Sequence, residues 1–140
     1  MISISGQLNV LINNAGVMPV SYIDKLHIEE WEQMIDVNLK GLLYCIAAVL
    51  PVMKTQKNGH IVNIGSMGGY QGSSKFPGLS AYSSAKAALA VLSECLSVEF
   101  LNDQISVNCL ALGAVQTEML NTAFPGYEAP LSAEDMSHFI

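Results

Sequence analysis

His60-Ile61-Val62-Asn63-Ile64-Gly65-Ser66, then Tyr82-Ser83-Ser84-Ala85-Lys86, then Ile105-Ser106-Val107-Asn108-Cys109-Leu110 mark the stretch that decides the fold. The first and last runs are rich in Val, Ile and Leu and too short for a helix. They read as buried parallel strands, covered on both faces. Between them, Ala85, Ala88, Leu89, Leu92, Leu96 and Phe100 mark one side of a helix over about Ser83–Asn102. Upstream the pattern repeats. Leu8–Asn13 is another short apolar run, and about Ile28–Gln56 has Trp31, Ile35, Leu39, Leu42, Ile46 and Leu50 at helical spacing. Asp36–Asn38 predicts a break in that helix, and Pro51 limits or bends its far end. Strand, helix, strand, helix, strand is an α/β pattern of the doubly wound, parallel-sheet kind. Residues 66–81 read as a long loop rich in Gly and Ser, and Ser132-Ala133-Glu134-Asp135 reads as a helix start.

The 140 residues make a single domain, 51% hydrophobic and 13% charged, with a net charge of −6. So apolar a chain expects strands covered on both faces, a large subunit interface, or membership of something bigger. Six Lys and Arg argue against a nucleic-acid surface. The apolar stretch Leu39–Met53 is interrupted by Lys40, Gly41 and Pro51 and reads as too short for a membrane span. Met1–Gln7 lacks the basic region of a signal peptide. Cys45, Cys95 and Cys109 are odd in number and far apart, so buried free thiols in a reducing cytoplasm are the expectation. His27, His60 and His138 have no ligand spacing, and no metal is assigned.

Tyr82 and Lys86 lie one turn apart on one helix face. An ammonium near a phenol favours the phenolate and draws a tyrosine toward the working range of an acid–base catalyst. The pair alone is weak. It arises by accident in roughly a quarter of chains this long at ordinary residue frequencies, and a solvated tyrosine and lysine is the bland alternative. Its surroundings decide. In open α/β sheets ligands bind beyond the carboxyl ends of the strands. Those ends carry Asn13-Asn14-Ala15-Gly16, Ile64-Gly65-Ser66 and Leu112-Gly113-Ala114-Val115-Gln116-Thr117, so all these groups are expected at one cleft.

These residues, with Asp36-Val37-Asn38-Leu39-Lys40-Gly41 and Ile61-Val62-Asn63-Ile64-Gly65-Ser66, resemble the short-chain dehydrogenase/reductase family from Leu8 to about Met119. The resemblance implies a Rossmann-like sheet and hydride transfer between NAD or NADP and a carbonyl or alcohol. Tyr82 would be the acid–base group, Lys86 would lower its pKa and bind the nicotinamide ribose, and Ser66 would hydrogen-bond the substrate oxygen. Asn38 would help hold a water linking Lys86 to solvent, where helix capping is the plainer reading. Asn13, Ala15 and Gly16 would line the cofactor cleft, for Asn14 a structural role being as good; Gly113, Val115 and Thr117 would frame the nicotinamide amide. The family usually has proline where Leu112 stands and Ser-Ser where Gly65-Ser66 stands. Ser66 and Tyr82 are somewhat further apart than is common, which implies an insertion within Gly69–Ser80 and brings Gly68, Gly69, Tyr70 and Phe76 beside the substrate.

The family's opening strand, Gly-rich turn and helix, which hold the pyrophosphate, do not occur in this sequence, nor does its last strand. The expectation is therefore a partial, C-terminal half of the fold, with Leu8–Asn13 as an exposed apolar edge. Two functions compete: an NAD(P)-dependent oxidoreductase, and a non-catalytic piece that keeps only the oligomerisation helices and part of the active site. The resemblance implies a homodimer or homotetramer through the two long helices. Around the substrate only Lys75 offers a charged anchor, so a relatively apolar ketone or acyl compound is expected.

Overall fold

Three strands, β1 (Val10–Asn13), β2 (Gly59–Ile64) and β3 (Ile105–Leu110), form a parallel sheet in the order β1-β2-β3. The computed structural model of the chain describes residues 6–140, so most of Met1–Gln7 lies outside the described residues. The register pairs Asn13 with Asn63 and Asn63 with Cys109, so all three strands end at one level. β1 is joined to β2 through α1 (Ile28–Ile35) and α2 (Leu42–Gln56); β2 is joined to β3 through α3 (Ser80–Glu99). Two right-handed crossovers stepping in the same direction put both helical connections on one face of the sheet. Ile46, Met53, Ile61, Leu96, Phe100, Ile105 and Val107 close the core between them.

The break expected at Asp36–Asn38 is a π-helical segment, Asp36–Gly41, that joins α1 and α2 without ending the helix. Pro51 is accommodated inside α2. The result is one helix of 29 residues, Ile28–Gln56, long and apolar enough to cross a membrane by length and composition. That corrects the reading of an interrupted, short stretch. It is nevertheless the crossover between two hydrogen-bonded parallel strands, which requires it to lie along the sheet, and Met34, Leu42, Ile46 and Met53 are buried. α3 begins at Ser80 rather than Ser83, so Tyr82 and Lys86 fall within its first two turns. α2 ends on Lys57 in a left-handed conformation, φ 52°, and Lys57 and Lys54 both pair with Asp103 in the turn before β3.

Burial on both faces holds along β2, but not in its neighbours. Along β3, Ile105 and Val107 are buried while Ser106 and Asn108 are exposed. Val10 and Ile12 on the edge strand β1 are each 51% exposed, the apolar edge expected of Leu8–Asn13. The thiols of Cys45 and Cys95 are exposed and Cys109 is only partly covered, against the expectation of burial.

Beyond β3 the sequence reading found only the last helix. α5 (Ala133–Phe139) starts at Ser132, whose hydroxyl accepts from the Asp135 amide while the Asp135 carboxylate accepts from the Ser132 amide. Two further pieces were not expected: a two-residue parallel ladder between β4 (Val115–Gln116) and β5 (Leu131–Ser132), and the short α4 (Glu118–Ala123). Runs this short leave no periodicity to read.

Candidate active site

The carboxyl ends of the strands open into a cleft of about 1030 Å³, of the size that holds a small ligand or part of a cofactor. Ser66, Tyr82 and Lys86 all line it. Ser66 leaves β2 in extended backbone and caps the short turn Met67–Gly69, its hydroxyl accepting from the Gly68 amide at 3.2 Å. So the plain structural role is real. Tyr82 reaches the cleft near the same hydroxyl. Burial pushes the Tyr82 phenol above its ordinary pKa, and the Ser66 contact pulls it partly back.

Lys86 does not act on Tyr82 as its spacing implied. Its ammonium donates to the Ile64 carbonyl at the end of β2, at 2.7 Å. It lies over the Tyr82 ring, 5.8 Å from the centroid. Burial lowers its pKa, and nearby Cys109 opposes that shift. Burial thus acts against the charged form of both side chains. Burial, rather than Lys86, is the leading influence on the Tyr82 phenol here.

Asn38 sits in the π-helical segment and is fully buried. Its side chain forms a two-way clamp on Val17, accepting from the amide at 2.9 Å and donating to the carbonyl at 2.8 Å. It is not a helix cap. The clamp fixes the strand-end segment Asn14–Val17 over the helix. A Cβ on Gly16 would stand 3.0 Å from Asn38 Oδ1 and 3.8 Å from Lys86 Nζ, so the chain passes close to both groups at that glycine.

Asn13 is not at the cleft. Its amide donates to Asn63 Oδ1 at 2.8 Å, Asn63 donates to Ser93 Oγ at 2.9 Å, and Ser93 donates to the Leu89 carbonyl at 2.7 Å. This buried chain ties β1 and β2 to α3. The period of two along a strand turns neighbours to opposite faces, so Asn14, with Ala15 and Gly16, lines the cleft instead. Gly113, Val115 and Thr117 line it too. Thr117 caps α4 through the Leu120 amide at 3.2 Å, and a Cβ on Gly113 would meet nothing within 4 Å. In place of the usual proline, Leu112 is held by backbone bonds, its amide to Leu110 and its carbonyl to Met67.

Of the four residues expected beside the substrate, Gly68 and Phe76 line the cleft and Gly69 and Tyr70 do not. Gly69 packs directly on α3, where a Cβ would come 2.7 Å from the Lys86 carbonyl carbon. Lys75 is withdrawn from any anchoring role: its ammonium donates to the carbonyls of Gly68 and Tyr70 and to Ser73 Oγ. Met18, Leu79, Phe124 and Tyr127 line the cleft without having been singled out in the sequence. They carry no motif, and only the fold brings them together.

A parallel α/β sheet with a tyrosine–lysine helix and a serine converging on one cleft defines a Rossmann-like oxidoreductase architecture. The chain belongs to the short-chain dehydrogenase family, whose model matches residues 1–128. It is 47% identical over 116 residues to an uncharacterized oxidoreductase of Staphylococcus saprophyticus, covering 81% of this chain and 46% of that protein. To an uncharacterized oxidoreductase of Listeria monocytogenes it is 39% identical over 119 residues, covering 84% and 47%. Among solved structures, a gluconate 5-dehydrogenase from Burkholderia cenocepacia in complex with NADP and tartrate superposes with a TM-score of 0.81 at 26% identity. That match covers 86% of this chain and 46% of the other. ElxO with NADP bound gives 0.79 at 33% identity, covering 86% and 48%. The chain thus spans about half the length of the curated relatives it matches.

Proposed function

We propose that this chain carries the acid–base centre of an NAD(P)-dependent oxidoreductase that interconverts a carbonyl and an alcohol. The observation that carries the reading is the convergence of Ser66, Tyr82 and Lys86 on the cleft at the strand ends. Tyr82 carries a phenolic proton and stands at the cleft where a substrate oxygen could receive it. Tyr82 donates its proton to the carbonyl oxygen in reduction and recovers it in oxidation. Ser66 hydrogen-bonds the same oxygen as negative charge develops there. Lys86, anchored on the Ile64 carbonyl and close to the Tyr82 ring, would hydrogen-bond the ribose of a bound cofactor. Asn38 positions the Asn14–Val17 backbone, and its place beside Gly16 and Lys86 supports a part in relaying protons toward Lys86.

The cleft fits a nicotinamide cofactor. Small residues at Ala15 and Gly113 would leave the backbone open to a flat ring, with Gly16, Val115 and Thr117 beside it. When bound, the cofactor supplies or accepts the hydride. NADP bound to solved relatives supports a nicotinamide nucleotide without choosing between NAD and NADP. We further propose a cytoplasmic protein that works as a homodimer or homotetramer on a small-molecule carbonyl or alcohol, without nucleic-acid or membrane partners. Exposed apolar residues on the long helices, among them Tyr44, Val91 and Val98, support the oligomer.

The competing reading, a non-catalytic assembly piece, is favoured by the same exposed helices. Titration of NADH and NADPH into the chain, with hydride transfer followed by absorbance, separates the two. The oxidoreductase reading expects saturable binding in the micromolar range, and transfer abolished by Tyr82→Phe with binding largely retained. Turnover that survives Tyr82→Phe would overturn the role of Tyr82. Absence of both binding and transfer would favour the assembly reading.

A further inference from the structure

The substrate end of the cleft is built around an aromatic pair. Phe76, from the loop before α3, and Phe124, at the end of α4, meet edge to face with ring centroids 6.4 Å apart. They come from segments remote in sequence, and each lines the cleft that holds Ser66 and Tyr82. Met67, Leu79 and Tyr127 continue the same apolar wall. Phe76 is 58% and Tyr127 51% exposed, apolar surface that a ligand in the cleft would cover.

Charge at this end points the same way. Among the described residues, the cleft is lined by Lys86 and by no other lysine or arginine. Lys86 is buried at the reacting end and committed to the Ile64 carbonyl. Lys75, on the same loop as Phe76, is occupied by three acceptors within that loop. Glu118 adds a carboxylate to the lining. An anionic substrate group would therefore find no free cation and one like charge. A polyol would set hydroxyls against the apolar wall of Met67, Phe76, Leu79 and Phe124, which returns no hydrogen bonds.

Resting on the oxidoreductase reading, we propose that the cleft selects an uncharged carbonyl compound bearing an aromatic or bulky apolar group. That group packs against the Phe76–Phe124 pair, with the carbonyl at Ser66 and Tyr82. Aromatic rings pack on such a pair in offset or edge-to-face contact. Lys75 shapes the loop behind the pair and does not touch the substrate.

The test separates ligand preference from turnover. Benzylacetone, an aryl ketone, and laevulinate, a keto acid, are titrated into isotope-labelled protein, with and without NADPH, and amide shifts are followed by NMR. The expected result is saturable binding of benzylacetone, with shifts centred on Phe76, Leu79 and Phe124. Its affinity should exceed that for laevulinate by about tenfold or more, and Phe124→Ala should weaken it by about tenfold while laevulinate is unaffected. Phe76→Ala is the second variant, reporting on the other side of the pair. Equal or tighter binding of laevulinate, or no saturable binding of benzylacetone under either condition, would overturn the proposal. Absence of hydride transfer alongside selective benzylacetone binding would count against the oxidoreductase reading and leave the ligand preference standing.

Discussion

Asn38 shows how much one side chain can decide. It is fully buried and spends its amide on both backbone groups of Val17. Asn38→Ala should cost about 1–3 kcal/mol of unfolding free energy, because a partly buried amide and carbonyl lose their partners. Urea denaturation measures this, and an unchanged midpoint would show that the clamp contributes nothing to stability. The Asn14–Gly16 segment should loosen with it, read as faster amide exchange there. Tyr82 is legible in the sequence as an acid–base candidate, but its protonation is not. Spacing to Lys86 predicts a lowered pKa, whereas burial raises it and the lysine bonds the Ile64 carbonyl. Asn13 was likewise legible as part of a strand-end motif without revealing which face it takes; β-strand alternation sends it to Asn63 and sends Asn14 to the cleft.

Among the elements, the end of α2 is joined to the start of β3 by charge. Asp103 accepts from Lys57 at 2.7 Å and stands 3.1 Å from Lys54. These two ammonium groups hold its carboxyl below the ordinary carboxylate pKa. A depressed folded pKa stabilises the fold above the unfolded value and loses that contribution as pH falls through the folded value. Asp103→Asn should therefore lower the urea midpoint at neutral pH, with the gap to the parent closing on acidification and shrinking in salt. A gap that persisted at low pH would point to packing rather than charge. The break in the long helix was legible in Asp36 and Asn38 amid apolar residues, but its form was not. A π-helical segment widens the helix without ending it, and only the neighbouring Val17 backbone makes that arrangement worthwhile.

For the whole molecule, the apolar surface is the dominant feature. Val10 stands 51% exposed on the edge strand, and Val98 and Leu101 are 74% and 72% exposed at the end of α3 and just beyond it. Such surface drives association. Val10→Lys should reduce concentration-dependent self-association in sedimentation velocity while changing stability by no more than about 0.5 kcal/mol. Unaltered association would move the interface to the helices.

The sequence by itself determined the order of the elements from β1 to β3, their parallel sheet and the set of residues at its carboxyl ends. Those properties follow from local periodicity and from the residue types at strand ends. The tertiary structure alone decided which of these residues face the cleft, which partner Lys86 takes, and how Tyr82 holds its proton. It also brought Phe76 and Phe124 together and occupied Lys75 within its own loop. Each depends on burial and on contacts between distant segments, as between Asn13 and Asn63, 50 positions apart. Electrostatic and packing energies are set by distance in space, which spacing along the chain does not carry.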